Sequence, residues 1–215
     1  ALADNVAPTA PPQPADERET LQVNQGETLA ITLAANDDGL PVDSDLSYQI
    51  VNQPPNGTLS GTGPNLVYTP NPDFAGSDSF SFKVNDGQLD SQPATVRITV
   101  NAPPVAESQE LKVNQGETLA IRLTAVDPEG SSNLIYQLVN QPQNGLLSGT
   151  EPELTYVSNP DFAGLDSFTF TATDTNQAQS QAATINITVN AAPVAEAQDL
   201  KANEGETLDI RLTAI

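Results

Sequence analysis

The chain has 215 residues, 28 of them acidic and 7 basic, and it contains no His, Cys, Met or Trp. Without His or Cys there is no Ser-His-Asp or Cys-His nucleophile, no imidazole or thiolate metal ligand and no disulfide, so a bound metal must be a hard cation held by oxygen, calcium before magnesium. A formal charge of −21 repels nucleic-acid backbone and the anionic face of a bilayer, and no run of about 18 apolar residues exists. We therefore expect no nucleic-acid partner and no membrane insertion by this segment. No signal peptide stands at Ala1, so any export signal is expected to lie outside the segment or to have been removed.

Residues 1–13 are Pro-rich and read as a linker. The rest of the chain is repetitive. Leu21-Gln-Val-Asn-Gln-Gly-Glu-Thr-Leu-Ala-Ile31 returns almost unchanged as 111–121 and again as 200–210, and Asn71-Pro-Asp-Phe-Ala-Gly76 returns at 159–164. All ten aromatics pair at an offset of 88: Tyr48 with Tyr136, Tyr68 with Tyr156, Phe74 with Phe162, Phe80 with Phe168 and Phe82 with Phe170. Paired rings read as core and turn anchors rather than as a private binding surface. The expected organisation is one repeat at 14–101, a second at 102–190 and the first two strands of a third at 191–215.

Within a repeat the apolar period is two, so each segment reads as a strand with one buried face and one wet face. In chain order we expect strand A at 21–23, B at 28–34 and C at 46–51. A hairpin of 58–60 with 66–69 comes next, then F at 79–84 and G at 94–100. Asp38-Gly39, Gln53-Pro-Pro-Asn-Gly57, Gly61-Thr-Gly-Pro64 and Asn85-Asp-Gly87 supply the breaks. About seven short strands in some 90 residues indicate an all-β fold, tandem Greek-key sandwiches of immunoglobulin type joined by Pro-containing linkers (Pro103-Pro104 and Pro193).

Running the strands in order puts the B–C and F–G loops at one pole, where the chain enters each sandwich. The length differences between the repeats fall in those two loops, and so does much of the acid. The first repeat offers Asp37, Asp38, Asp43 and Asp45 in B–C and Asp86 in F–G, with Glu17 just ahead of strand A. The second offers Asp127, Glu129 and Asp174, and the linkers add Asn101, Glu107, Asn190 and Glu196. Carboxylates gathered at one pole repel unless a cation joins them, and calcium takes six to eight oxygens from carboxylates, amides and backbone carbonyls. These thirteen residues are the candidate calcium ligands. The competing reading is that Asp, Asn and Gly in loops are merely solvated turn formers.

Asp78 and Asp166, just before the Phe-x-Phe strands, are expected to bond backbone at a sandwich corner. Lys83 faces solvent by strand phase, which argues against an isopeptide bond. Asn56-Gly57-Thr58 fits the glycosylation triplet and equally a tight turn. No carboxylate pair sits in a pocket backed by aromatic platforms, so no enzyme is expected.

The succession Asn56-Gly-Thr-Leu-Ser60, Tyr68-Thr-Pro-Asn-Pro-Asp-Phe-Ala-Gly-Ser-Asp-Ser-Phe-Ser-Phe82 and Ala94-Thr-Val-Arg-Ile-Thr-Val-Asn-Ala-Pro-Pro-Val-Ala106 resembles the cadherin-like and bacterial Ig-like tandem repeats (the tandem-95 type) of large RTX-type surface adhesins. The resemblance spans essentially the whole chain. It implies extracellular extender modules on a bacterial surface, often stiffened by calcium at their junctions, whose partners are adjacent repeats of the same polypeptide or neighbouring identical chains. The sequence departs from the pattern where the linkers read Asn101-Ala102 and Asn190-Ala191 and where the second B–C loop reads Asp127-Pro-Glu129-Gly130. Two other readings stay open. The chain is a filament subunit whose partial third repeat is completed by strands of another chain, or it is a carbohydrate- or protein-binding module.

Overall fold

A computed structural model describes residues 5–13, 20–39, 45–205 and 207–214. The candidates Glu17 and Asp43 lie outside these. Two compact units are present. One takes in residues 1–105, 126–135 and 173–180; the other takes in 106–125, 136–172 and 181–215.

The first copy has seven strands: β1 (Leu21–Asn24), β2 (Leu29–Thr32), β3 (Ser47–Asn52), β4 (Gly57–Thr62), β5 (Asn65–Pro70), β6 (Gly76–Asn85) and β7 (Ala94–Asn101). They form two sheets, ordered β1-β7-β6-β3 and β2-β5-β4. β1 runs parallel to β7 from Leu21↔Ile98 to Asn24↔Asn101, and the remaining ladders are antiparallel. The alternation expected from sequence is realised in β7, where Ala94, Val96, Ile98 and Val100 are buried between half-buried Thr95, Arg97 and Thr99. With Ile31, Leu33, Leu66, Tyr68, Phe80, Phe82 and Val84 they make the core. Tyr48 stacks on Phe82 with ring centroids 6.4 Å apart, an arrangement worth about 1 kcal/mol beyond the area it buries.

Residues 5–13 were expected to be linker, but they pair with the sandwich. Thr9 exchanges two backbone hydrogen bonds with Asn36, and Gln13 bridges to Val96. Residues 5–13 thus run from the β2 side of the sandwich to the β7 side. Prolines at 8, 11 and 12 hide this from a periodicity reading, because Pro removes the N–H that a regular ladder would use.

The second copy has the same plan with β8 (Val105–Ala106), β9 (Gln109–Asn114), β10 (Thr118–Arg122), β11 (Ala125–Val126), β12 (Ile135–Asn140), β13 (Gly145–Thr150), β14 (Glu153–Ser158), β15 (Gly164–Thr173) and β16 (Ala183–Asn190). Its sheets are β12-β15-β16-β9 and β10-β14-β13, with β8 paired to β11. The parallel ladder of β9 with β16 has six register pairs, Ile185↔Gln109 to Asn190↔Asn114. All five aromatics of each copy pack in or against its core.

Asp78 and Asp166 hold the corner opposite the acidic loops. Asp78 accepts from the Asn56 N–H (3.2 Å), the Ser79 N–H (2.9 Å) and the Tyr68 hydroxyl (2.7 Å). Asp166 accepts from the N–H groups of Gln143, Asn144 and Ser167 and from the Tyr156 hydroxyl (2.8 Å). Burial first, and then the Asp partner, pushes both phenols above their ordinary pKa. A Cβ at Gly57 would run into the Tyr68 ring, and one at Gly145 into that of Tyr156, so this corner also dictates its glycines. Lys83 pairs with Asp90 at 2.7 Å on the surface.

After β16 the described residues hold one antiparallel bridge, Ala195↔Ala214, rather than the two strands expected there. Gln198 reaches the Arg211 carbonyl and the Thr213 hydroxyl, as Gln109 reaches Arg122 and Thr124 in the second copy. The local pairing of a third repeat is thus present. Leu200, Leu208, Ile210 and Leu212 nevertheless stay exposed, Leu212 at 88%. A lone strand pair without a facing sheet gains too little burial to form regular ladders.

Candidate functional site

The residues around the acidic loops repeat as closely as the core does. In the first copy the B–C loop turns on Asp37, whose Oδ2 accepts the Gly39 N–H (3.1 Å). The F–G loop turns on fully buried Asp86, whose Oδ1 accepts the N–H groups of Gln88 (2.8 Å) and Leu89 (2.7 Å). The incoming chain joins both loops. Asn5 donates its amide to Asp86 Oδ2 (3.2 Å), and the Val6 N–H is held by Asp38 Oδ2 (2.9 Å). The Leu89 N–H, opposed by burial and joined by the Gln88 N–H and the Asn5 amide, holds the Asp86 carboxyl below the usual carboxylate range.

The second constellation lies wholly within the first compact unit, which includes residues 101, 126–135 and 173–180. Asp127 Oδ1 closes the B–C turn on the N–H groups of Glu129 (2.9 Å) and Ser131 (3.1 Å). Asp174, 1% exposed, closes the F–G turn through Oδ1 on Asn176 (2.8 Å) and Ala178 (2.9 Å). Asn101 donates to Asp174 Oδ2 (2.8 Å), and the Ala102 N–H is held by Glu129 Oε1 (3.2 Å). Role for role, Asn101 matches Asn5, Asp127 matches Asp37, Asp174 matches Asp86 and Glu129 matches Asp38. Glu129 stands one position further along its loop than Asp38, and its longer side chain makes up the difference.

Each constellation also keeps an acceptor without a donor. Five buried side-chain polar atoms lack a partner among the described residues, and three of them are Asn5 Oδ1, Asp37 Oδ1 and Asp127 Oδ2. Asp127 is only 7% exposed, so water does not solvate that oxygen. A buried carboxylate oxygen facing no donor is costly, and a cation relieves it. The donors present, carboxylate and amide oxygens, suit a hard cation. Among the described residues no three carboxylates group closely enough to hold a metal by themselves, so amide or backbone oxygens would have to complete the shell.

The other candidates are not drawn into these constellations. Asp45 is exposed ahead of β3, and Glu107 is exposed after β8 with its N–H on the Thr124 carbonyl. Asn190 is exposed and donates to Asn114 Oδ1 (3.4 Å); Glu196 accepts the Thr213 hydroxyl (2.8 Å). Three participants were not foreseen: Asn5, Asn24 and Asn176. Asn24 accepts from the Asn101 amide at 3.1 Å. The sequence did carry a signal for Asn5, because an Asn shortly before Ala and Pro occurs at 5–8, 101–103 and 190–193. It was masked by spacing: Asn5 stands 16 residues before Leu21, whereas Asn101 stands 10 before Leu111.

The grooves beside Asp78 and Asp166 do not make a second site of this kind. The larger, about 730 Å³, is lined by amide and hydroxyl side chains around Asp166, whose oxygens are already engaged by the corner.

No curated protein sequence matches the chain. Among solved structures it is similar to the endo-fucoidan hydrolase MfFcnA4 from glycoside hydrolase family 107 (19% identity, 89% of this chain, 30% of that one, TM-score 0.35). It is also similar to Drosophila N-cadherin EC1-3 (17%, 87% and 69%, TM-score 0.35) and to Sidekick-1 immunoglobulin domains 1-4 (18%, 86% and 48%, TM-score 0.39). The chain thus spans less than a third of the hydrolase, and at such TM-scores these likenesses carry no functional argument. The family described as bacterial Ig domain matches residues 5–99 and again 101–188, starting each time at or beside the Asn that bonds the F–G aspartate. This chain belongs to the bacterial Ig domain family and carries two copies of the domain.

Proposed function

We propose that the chain is a stretch of structural extender repeats from a large extracellular bacterial surface protein of the adhesin type, with calcium bound where the incoming linker meets the B–C and F–G loops. Each sandwich spaces its neighbours, and the cation fixes the linker to the loops. The observation that carries this reading is the constellation built twice from different loop sequences, each with a buried acceptor oxygen that no donor among the described residues satisfies. Asn5, Asp37, Asp38 and Asp86 would hold one ion; Asn101, Asp127, Glu129 and Asp174 would hold the other. The ion's role is electrostatic, so the chain provides spacing rather than catalysis. Among the described residues no helix is long and apolar enough to cross a membrane.

The test is thermal melting of the whole chain in millimolar calcium and in chelator. With a dissociation constant of about 10⁻⁴ M, millimolar calcium adds roughly 1.5 kcal/mol per site and raises Tm by several degrees. Identical melts in the two conditions would remove calcium from the proposal.

The exposed Leu200, Leu208, Ile210 and Leu212 favour a second reading, in which strands of another copy cover this face and join chains into a filament. Sedimentation should then show assembly that grows with concentration. A monomer throughout the range excludes it.

A further inference from the structure

Resting on the calcium reading above, we propose that the Asn176 carboxamide is a built-in competitor for the cation at the second constellation, making that site weaker than the first. Asn101 Oδ1 is an amide oxygen of the kind calcium takes, but it is already occupied by the Asn176 Nδ2 donor at 2.8 Å. The Asn176 carbonyl is held in turn by the Asn24 amide at 3.2 Å, which keeps the loop in place. Asp127 Oδ2 beside this network is buried and without a donor, so the charge that attracts an ion is present while one of its ligands is capped. In the first copy the residue at the matching position is Gln88, which is exposed, and Asn5 Oδ1 is left without a partner. An ion entering the first site meets an Asn5 Oδ1 that has no donor to displace among the described residues. An ion entering the second must first break the Asn176–Asn101 bond.

The experiment is a calcium titration of the whole chain, wild type and Asn176→Ala. Heat is read by calorimetry, and site identity is read from the side-chain amide NMR signals of Asn5 and Asn101. Asn176 is exposed, and its backbone N–H and carbonyl, which make the Asp174 and Asn24 bonds, survive the substitution. The Asn5 signals should respond at lower calcium than those of Asn101 in the wild type. Asn176→Ala should tighten the Asn101 site about fivefold, one hydrogen bond's worth, and leave the Asn5 site unchanged. If both sites fill but Asn176→Ala leaves the second unchanged or weaker, Asn176 is a bystander or a ligand and the inference fails while the calcium reading stands. If neither Asn5 nor Asn101 responds in either protein, the calcium reading fails and takes the inference with it.

Discussion

The two copies keep the same rings where a side chain is enclosed from both sides and vary there only among aliphatic residues (Val84 against Ala172, Val96 against Ile185), and they diverge further where only one side is enclosed. Phe80 and Phe168, Phe82 and Phe170, and Tyr68 and Tyr156 occupy matching, fully buried places. On the outward face of the smaller sheet, by contrast, the cross-strand pair Thr58–Thr69 of the first copy is replaced by Leu146–Val157 in the second, with Leu146 70% exposed. Ser77 is likewise replaced by Leu165, 76% exposed. Close packing keeps the enclosed positions apolar, whereas the outward ones tolerate an exchange of Thr for Leu. The acidic loops lie between these extremes: the same bonds recur, made by residues at shifted positions.

The comparison can be broken first at the Asp corners. Asp166 receives four hydrogen bonds and Asp78 three. Asp166→Asn turns an N–H donor toward donors in a buried place, and its loss should be about 3 kcal/mol against about 2 kcal/mol for Asp78→Asn in chemical denaturation. Equal losses would mean that the additional Gln143 N–H contributes nothing and that the corners are equivalent.

A smaller effect should appear with pH at the F–G loop of the first copy. The folded-state pKa of Asp86 is lowered, so its contribution is present above the ordinary carboxylate pKa near 4 and is lost as pH falls through the lowered value. Stability of the first copy should therefore fall with acid below about pH 4, and Asp86→Asn should flatten that part of the profile. A variant whose pH profile matches the wild type would show that the Leu89, Gln88 and Asn5 donors do not favour the charged form.

The strands were legible because period two survives wherever one face is buried and the other wet. β3, β4, β5, β6 and β7 lie within a few residues of their expected places. The start of the domain was not legible. The segment at 5–13 pairs through single bridges between prolines, which leave no alternation to read. The common pole of the B–C and F–G loops came from strand order alone, and Asp38 and Asp86 both meet residues 5–6 there. The partners that shape those loops could not be read from composition. A carboxylate in a loop announces charge, but whether its second oxygen meets an N–H, an amide or nothing depends on backbone turns that sequence spacing leaves open. Asp127 and Asp174 look alike in the chain, yet only Asp127 keeps an oxygen without a donor.

The parallel pairing of β1 with β7 and of β9 with β16 places the first and last long strands of each sandwich side by side, pointing the same way. Tension applied to the two ends of such a domain slides one strand along the other, so the backbone bonds between them resist in shear and must yield together rather than unzip singly. Among the described residues β9 shares six such rungs with β16 and β1 shares four with β7, where the parallel Gln13–Val96 bridge adds a further hold, so both copies carry such a load across their terminal strands.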